Sequence, residues 1–100
     1  MYQNGKLSVG VTPKEVQLEG LPLKLDGREF ELLRLLIRHQ GQMIHRRFLQ
    51  QWIFGDEGDG LERQLIKNIR LLRKKLGDNP NAPAWIVPAC ASGCKMSVFN

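Results

Sequence analysis

Long apolar runs are missing from this 100-residue sequence. The nearest approach, Leu35-Leu36-Ile37, is flanked by Arg34 and Arg38, far short of the roughly 18 residues a membrane helix needs. The first residues, Met1 to Lys6, lack the apolar core of a secretory leader. A cytoplasmic location with no membrane partner is therefore expected. Cysteine is scarce, with only Cys90 and Cys94. In a reducing compartment they read as free thiols, with a hairpin disulfide or two ligands of a metal site as the alternatives. A metal site needs about four ligands, and the histidines, His39 and His45, sit on other segments, so neither a metal nor a cofactor is expected. No nucleophile–base pair, glycine-rich phosphate cradle or catalytically spaced carboxylate pair is visible, which argues against an enzyme. The acidic stretch Gly55-Asp56-Glu57-Gly58-Asp59-Gly60 fails the spacing of a calcium loop, since the closing Glu position holds Ile66. Acid is in deficit overall: ten Asp+Glu against fifteen Lys+Arg leave a net charge of +5. A small basic domain either carries a solvated surface or binds polyanions.

What is present is enough for one compact domain spanning residues 1–100. Leu7, Val9 and Val11 alternate with polar or small residues, as do Val16 and Leu18, and then Leu21, Leu23 and Leu25. Three short period-2 segments separated by Thr12-Pro13 and Gly20 predict a small antiparallel sheet. Asp26 and Glu29 then form a capping box at a helix start. That helix runs to about residue 39, with Phe30, Leu33 and Ile37 on one face and Gly41 ending it. A shorter helix is expected over 46–53, weakly started because His45 is a poor N-cap, with Leu49 and Ile53 inward. A third spans 61–76 and stops at Gly77 and Pro80. Ile86 and Val87 begin a strand, and Gly93 marks a turn into a last strand over 95–99. Trp52 and Trp85 read as core or edge packing.

The third helix divides cleanly when wound at about 100° per residue. Leu65, Ile69, Leu72 and Leu76 form one stripe, and Arg63, Lys67, Arg70 and Lys74 form the opposite one. Arg73 and Lys75 lie to either side, and Glu62 is the helix's only acid. A solvated amphipathic face is the plain reading. Two observations favour a polyanion instead. Acids to pair with the cations at i±4 are nearly absent, and a helix of this length fits a B-DNA major groove when a preceding helix and turn present it.

In their order, these segments resemble the winged-helix output domain of the OmpR/PhoB response regulators, over residues 7–96. The first helix opens with Leu25-Asp26-Gly27-Arg28-Glu29-Phe30-Glu31-Leu32-Leu33, like the family's Leu-Thr-x-x-Glu-Phe-x-Leu-Leu. Gly41 to Arg46, Ile53-Phe54-Gly55, Leu72-Arg73-Lys74-Lys75-Leu76-Gly77-Asp78 and Pro83, Trp85, Ile86, Val87 match further family segments. The resemblance implies an α+β winged helix-turn-helix: an N-terminal four-stranded antiparallel sheet, a three-helix core and a C-terminal β-hairpin wing. It implies sequence-specific binding of double-stranded DNA as the output domain of a two-component regulator of transcription. The expected contacts are Arg63, Lys67, Arg70, Arg73 and Lys74, with Lys67 and Asn68 near base edges and Lys95 in the wing. The 55–60 loop, through Asp56, Glu57 and Asp59, is expected to touch RNA polymerase. A receiver domain would complete a longer chain, and none is contained here. Dimers on repeated half-sites are the family's habit.

The departures lie mostly in the wing. Where the family reads Thr-Val-Arg-Gly-x-Gly-Tyr-Arg, this chain reads Pro88-Ala89-Cys90-Ala91-Ser92-Gly93-Cys94-Lys95. A Thr, a minor-groove Arg and a Tyr are replaced, and Pro88 belongs on an edge strand or at a bulge. Ile66 stands where the family usually has Asp, and Leu71 where a basic residue is frequent. A degenerate winged helix serving as a protein-interaction module is the alternative reading.

Overall fold

The computed structural model describes residues 2–11, 14–55, 61–78, 85–90 and 93–96. Four strands come first: β1 (Tyr2–Asn4), β2 (Leu7–Val11), β3 (Lys14–Leu18) and β4 (Leu21–Pro22). They pair antiparallel in sequence order. Val9 stands opposite Val16 and Leu7 opposite Leu18, so the apolar members of both strands share the buried face. β1 adds a strand that alternation starting at Leu7 had not revealed. β4 is shorter than the expected run over Leu21 to Leu25. Pro22 has no N–H to continue the ladder, and Leu21, expected to face inward, is 70% exposed.

Helix α1 (Gly27–Arg38) follows. Its capping box forms as expected: the Glu29 N–H donates to Asp26 Oδ1 at 2.8 Å, and the Asp26 N–H donates to Glu29 Oε1 at 3.0 Å. Phe30, Leu32, Leu33, Leu36 and Ile37 are buried against the sheet and the other helices. A short strand, β5 (Ile44–His45), leads into α2 (Arg46–Phe54). As its sequence predicts, α2 starts without a side-chain cap at His45. Leu49 faces the core, whereas Trp52 does not. It is 47% exposed and stacks on Phe48 with 6.2 Å between ring centroids. Of the two readings, core or edge packing, Trp52 takes the edge: α2's inward stripe is filled by Leu49, with Ile53 packed beside it.

Helix α3 (Leu61–Lys75) ends in a Schellman motif. The Asp78 N–H reaches Arg73 O at 2.8 Å and the Gly77 N–H reaches Lys74 O at 3.1 Å, with Gly77 at φ +75° as that motif requires. The chain closes with β6 (Ile86–Cys90) and β7 (Gly93–Met96). These form a three-stranded sheet in the order β5-β7-β6. β6 is an edge strand, and its register shifts between Pro88 and Cys90, the setting expected of Pro88. Gly93 is part of β7 rather than a turn. A Cβ there would stand 2.6 Å from the Ile44 carbonyl oxygen, so the close crossing of β5 and β7 admits only glycine. Residues 97–99 of the expected last strand lie outside the described residues.

Asp78 ties α3 to the hairpin. Its buried carboxylate accepts the N–H groups of Trp85 and Ile86, each at 3.0 Å. Asp78→Ala strands these donors and is expected to cost roughly 2–3 kcal/mol of stability. Urea denaturation measures the loss, and amide exchange should show protection falling first at Trp85 and Ile86.

Candidate nucleic-acid interface

Helix α3 presents two opposite chemistries. Leu65, Leu72 and Leu76 are buried, and Ile69 packs against the core beside them. Arg63, Lys67, Arg70 and Lys74 are all exposed on the far side. Among the described residues none of these four forms an ion pair. Glu62, the acid at the start of the helix, is engaged elsewhere, with its Oε1 2.7 Å from Arg46 Nη1 at the start of α2. That exposed pair links the first turns of α2 and α3. Among the described residues the cation row is therefore a continuous positive surface without a paired acid, on a helix whose other side is anchored.

The remaining expected contacts are distributed differently. Asn68 is only 9% exposed. On the helix it lies beside Leu65 and Leu72, so it faces the fold, and its assignment to base edges is corrected. Arg73 is half-buried and its Nε donates to Ile86 O at 3.0 Å. That bond makes it a strut between α3 and the hairpin rather than a member of the free cation row. Lys75 is drawn away too, with Nζ 2.6 Å from the buried Glu29 Oε1. Lys95 is exposed on β7. The side chains of Cys90 and Cys94 and the loop carrying Asp56, Glu57 and Asp59 lie outside what is described. Trp85 is half-buried against the core, as expected of it.

Sequence reasoning passed over Arg47. It is exposed in the first turn of α2, and the signal was available, since α2 (RRFLQQWIF) contains no acid at all. In a helix-turn-helix the helix before the reading helix crosses the sugar–phosphate backbone, where such a cation is useful. No helix among the described residues is long and apolar enough to cross a membrane, and no group of three or more metal-ligating side chains occurs among them.

Comparison with known proteins agrees with this arrangement. The family model for the C-terminal domain of transcriptional regulatory proteins matches residues 20–93. The DNA-binding domain of Klebsiella pneumoniae RstA, solved in complex with RstA box, is 30% identical and superposes with a TM-score of 0.87, covering 95% of this chain and 94% of that one. The DNA-binding domain of CpxR from E. coli is 28% identical, with a TM-score of 0.82 and coverage of 98% and 96%. Response regulator DrrB of Thermotoga maritima, an OmpR/PhoB homologue, is 28% identical with a TM-score of 0.86, and this chain covers 43% of its length. A matched family model over most of the sequence, on a fold shared along nearly the whole chain, places this protein in the transcriptional regulatory C-terminal family, the winged-helix output domains of OmpR/PhoB-type response regulators.

Proposed function

We propose that this chain binds double-stranded DNA by inserting α3 into the major groove, as the output domain of a two-component regulator of transcription. The observation that carries the reading is the exposed, unpaired row Arg63–Lys67–Arg70–Lys74 on a helix anchored by Leu65, Leu72 and Leu76. Such a row carries a mild like-charge repulsion along the helix and confers strong attraction for a polyphosphate. Lys67 stands in the N-terminal half of α3, where reading helices approach base edges. Arg63, Arg70 and Lys74 serve the phosphates, and Arg47 on α2 adds one contact to the backbone. Lys95 supplies the wing's remaining charge. A cytoplasmic location follows from DNA as partner, a receiver domain is the upstream element in a longer chain, and pairing on repeated half-sites matches the small footprint of a single domain.

Lys67→Glu combined with Arg70→Glu is expected to abolish duplex binding while helix content by circular dichroism stays unchanged. With about four phosphates neutralised, log K should fall against log salt with a slope of roughly −3.6. A slope near zero, or binding that survives the double reversal, reduces the row to a solvated face.

The wing supports a second expectation. Cys90 ends β6 opposite Gly93, at the position of the family's minor-groove Arg. A narrow A·T-rich minor groove concentrates negative potential, and cysteine does not exploit it. Cys90→Arg with Pro88→Thr should add about 1–3 kcal/mol of affinity, more on A·T-rich flanks than on G·C-rich ones, as read by titration of matched duplexes.

The loop at residues 55–60 is the proposed contact for RNA polymerase. Neutralising Asp56, Glu57 and Asp59 should lower activation of a reporter while duplex affinity holds. Equal loss of both removes the polymerase assignment.

A further inference from the structure

The exposed arc of α3 is not purely cationic. Ile66 is 41% exposed and Leu71 38% exposed. At about 100° per residue, each lies about 70° from the centre line of the cation row, one on either flank. Each also sits between cations: Ile66 is one turn from Arg63 and Arg70, and Leu71 is one turn from Lys67 and Lys74. The buried stripe of Leu65, Leu72 and Leu76 is complete without them, so the core gives no reason for apolar side chains at either position. A helix selected only to meet phosphates would carry polar or cationic residues there.

Major-groove chemistry supplies the reason. The major-groove edges carry hydrogen-bond donors and acceptors and a single methyl group, the 5-methyl of thymine, and apolar side chains meet that group. Isoleucine and leucine cannot hydrogen-bond through their side chains, so thymine is the base they can favour. Against the other edges they only desolvate polar atoms. We propose that Ile66 and Leu71 are specificity-determining residues that pack against thymine 5-methyl groups on either side of the cation row, and so bias this domain toward thymine-containing sites. The proposal rests on the reading of α3 as the groove helix. Ile66 carries the larger share, because it lies in the half of α3 that approaches base edges.

Thymine and uracil differ by that methyl alone, which gives a direct test. A duplex enriched by this chain from a randomised pool is synthesised twice, once with thymine and once with uracil throughout. The chain should bind the uracil duplex about fourfold more weakly for each methyl in contact, with the salt slope unchanged. The double variant Ile66→Gln/Leu71→Gln keeps the helix, since glutamine is a good helix former, removes the apolar surface, and should bind both duplexes equally. Equal binding of the two duplexes by the unaltered chain overturns the proposal, and so does a variant that still prefers thymine. Salt-dependent binding that ignores the methyl leaves the groove reading of α3 standing and removes only the methyl contact. No binding to any duplex removes both.

Discussion

The carboxylate of Asp78 decides where the hairpin stands relative to α3. It is buried just past the helix, its own N–H closes the Schellman motif on Arg73 O, and its oxygens take the N–H groups of Trp85 and Ile86. Arg73 answers from the preceding turn by donating to Ile86 O. The first residue of β6 is thus gripped at both its N–H and its C=O by adjacent parts of one helix end. Hydrogen bonds to a charged group are about twice as strong as neutral ones, and these backbone donors offset part of the cost of burying the carboxylate. Helix and wing then cannot slide independently. Any contact made by one fixes the other.

A second buried acid performs the same work at the far side of α3. Glu29 is 1% exposed, and desolvating a carboxylate costs several kcal/mol. Three terms offset that cost: the Asp26 N–H in the capping box, the Lys75 ammonium at 2.6 Å, and the positive end of the α1 dipole. Its Oε2 has no hydrogen-bond partner among the described residues. An ion pair of this kind adds little net stability but fixes geometry, because moving α1 away from α3 would leave a buried charge alone. Lys75 is consequently spent on architecture, and the cation row is set by residues that have no acid to answer them.

How far the sequence revealed this depends on whether a feature is local. The capping box, the end of α3 and its two opposed stripes follow from spacing along one helix, and all three were legible. The placement of Asp78 under β6 joins residues about one turn past a helix to a strand several residues on, and only the family pattern hinted at it. Asn68 was misread because its polarity suggested an outward position, whereas its angle beside Leu72 places it inward. For Arg73 the spacing along α3 could not reveal that its Nε also bonds a carbonyl of β6, because that partner comes from a distant strand. The family resemblance implied the fourth strand of the N-terminal sheet, but residue alternation showed neither β1 nor β5, because strands of three and two residues are too short for it to register and pairing alone defines them. Trp52 shows a further limit, since nothing in its own segment says that Leu49 has already filled the inward side of α2.

The division of labour on α3 follows from these constraints. Cations on a helix anchored on one side act through counterion release, which is strong at low salt, fades as salt rises and carries no sequence information. On the proposed reading, with Cys90 standing where the family has its wing arginine, a larger share of the affinity would fall on that row, and a domain depending on it alone would bind any duplex. Discrimination must then come from terms that salt does not screen. Apolar contact in the groove is such a term: its strength scales with area removed from water and is indifferent to ionic strength at physiological levels. On the proposed reading, a basic row flanked by Ile66 and Leu71 would separate the two tasks on one helix face, the charges supplying attraction to any duplex and the carbon surface supplying the preference among them.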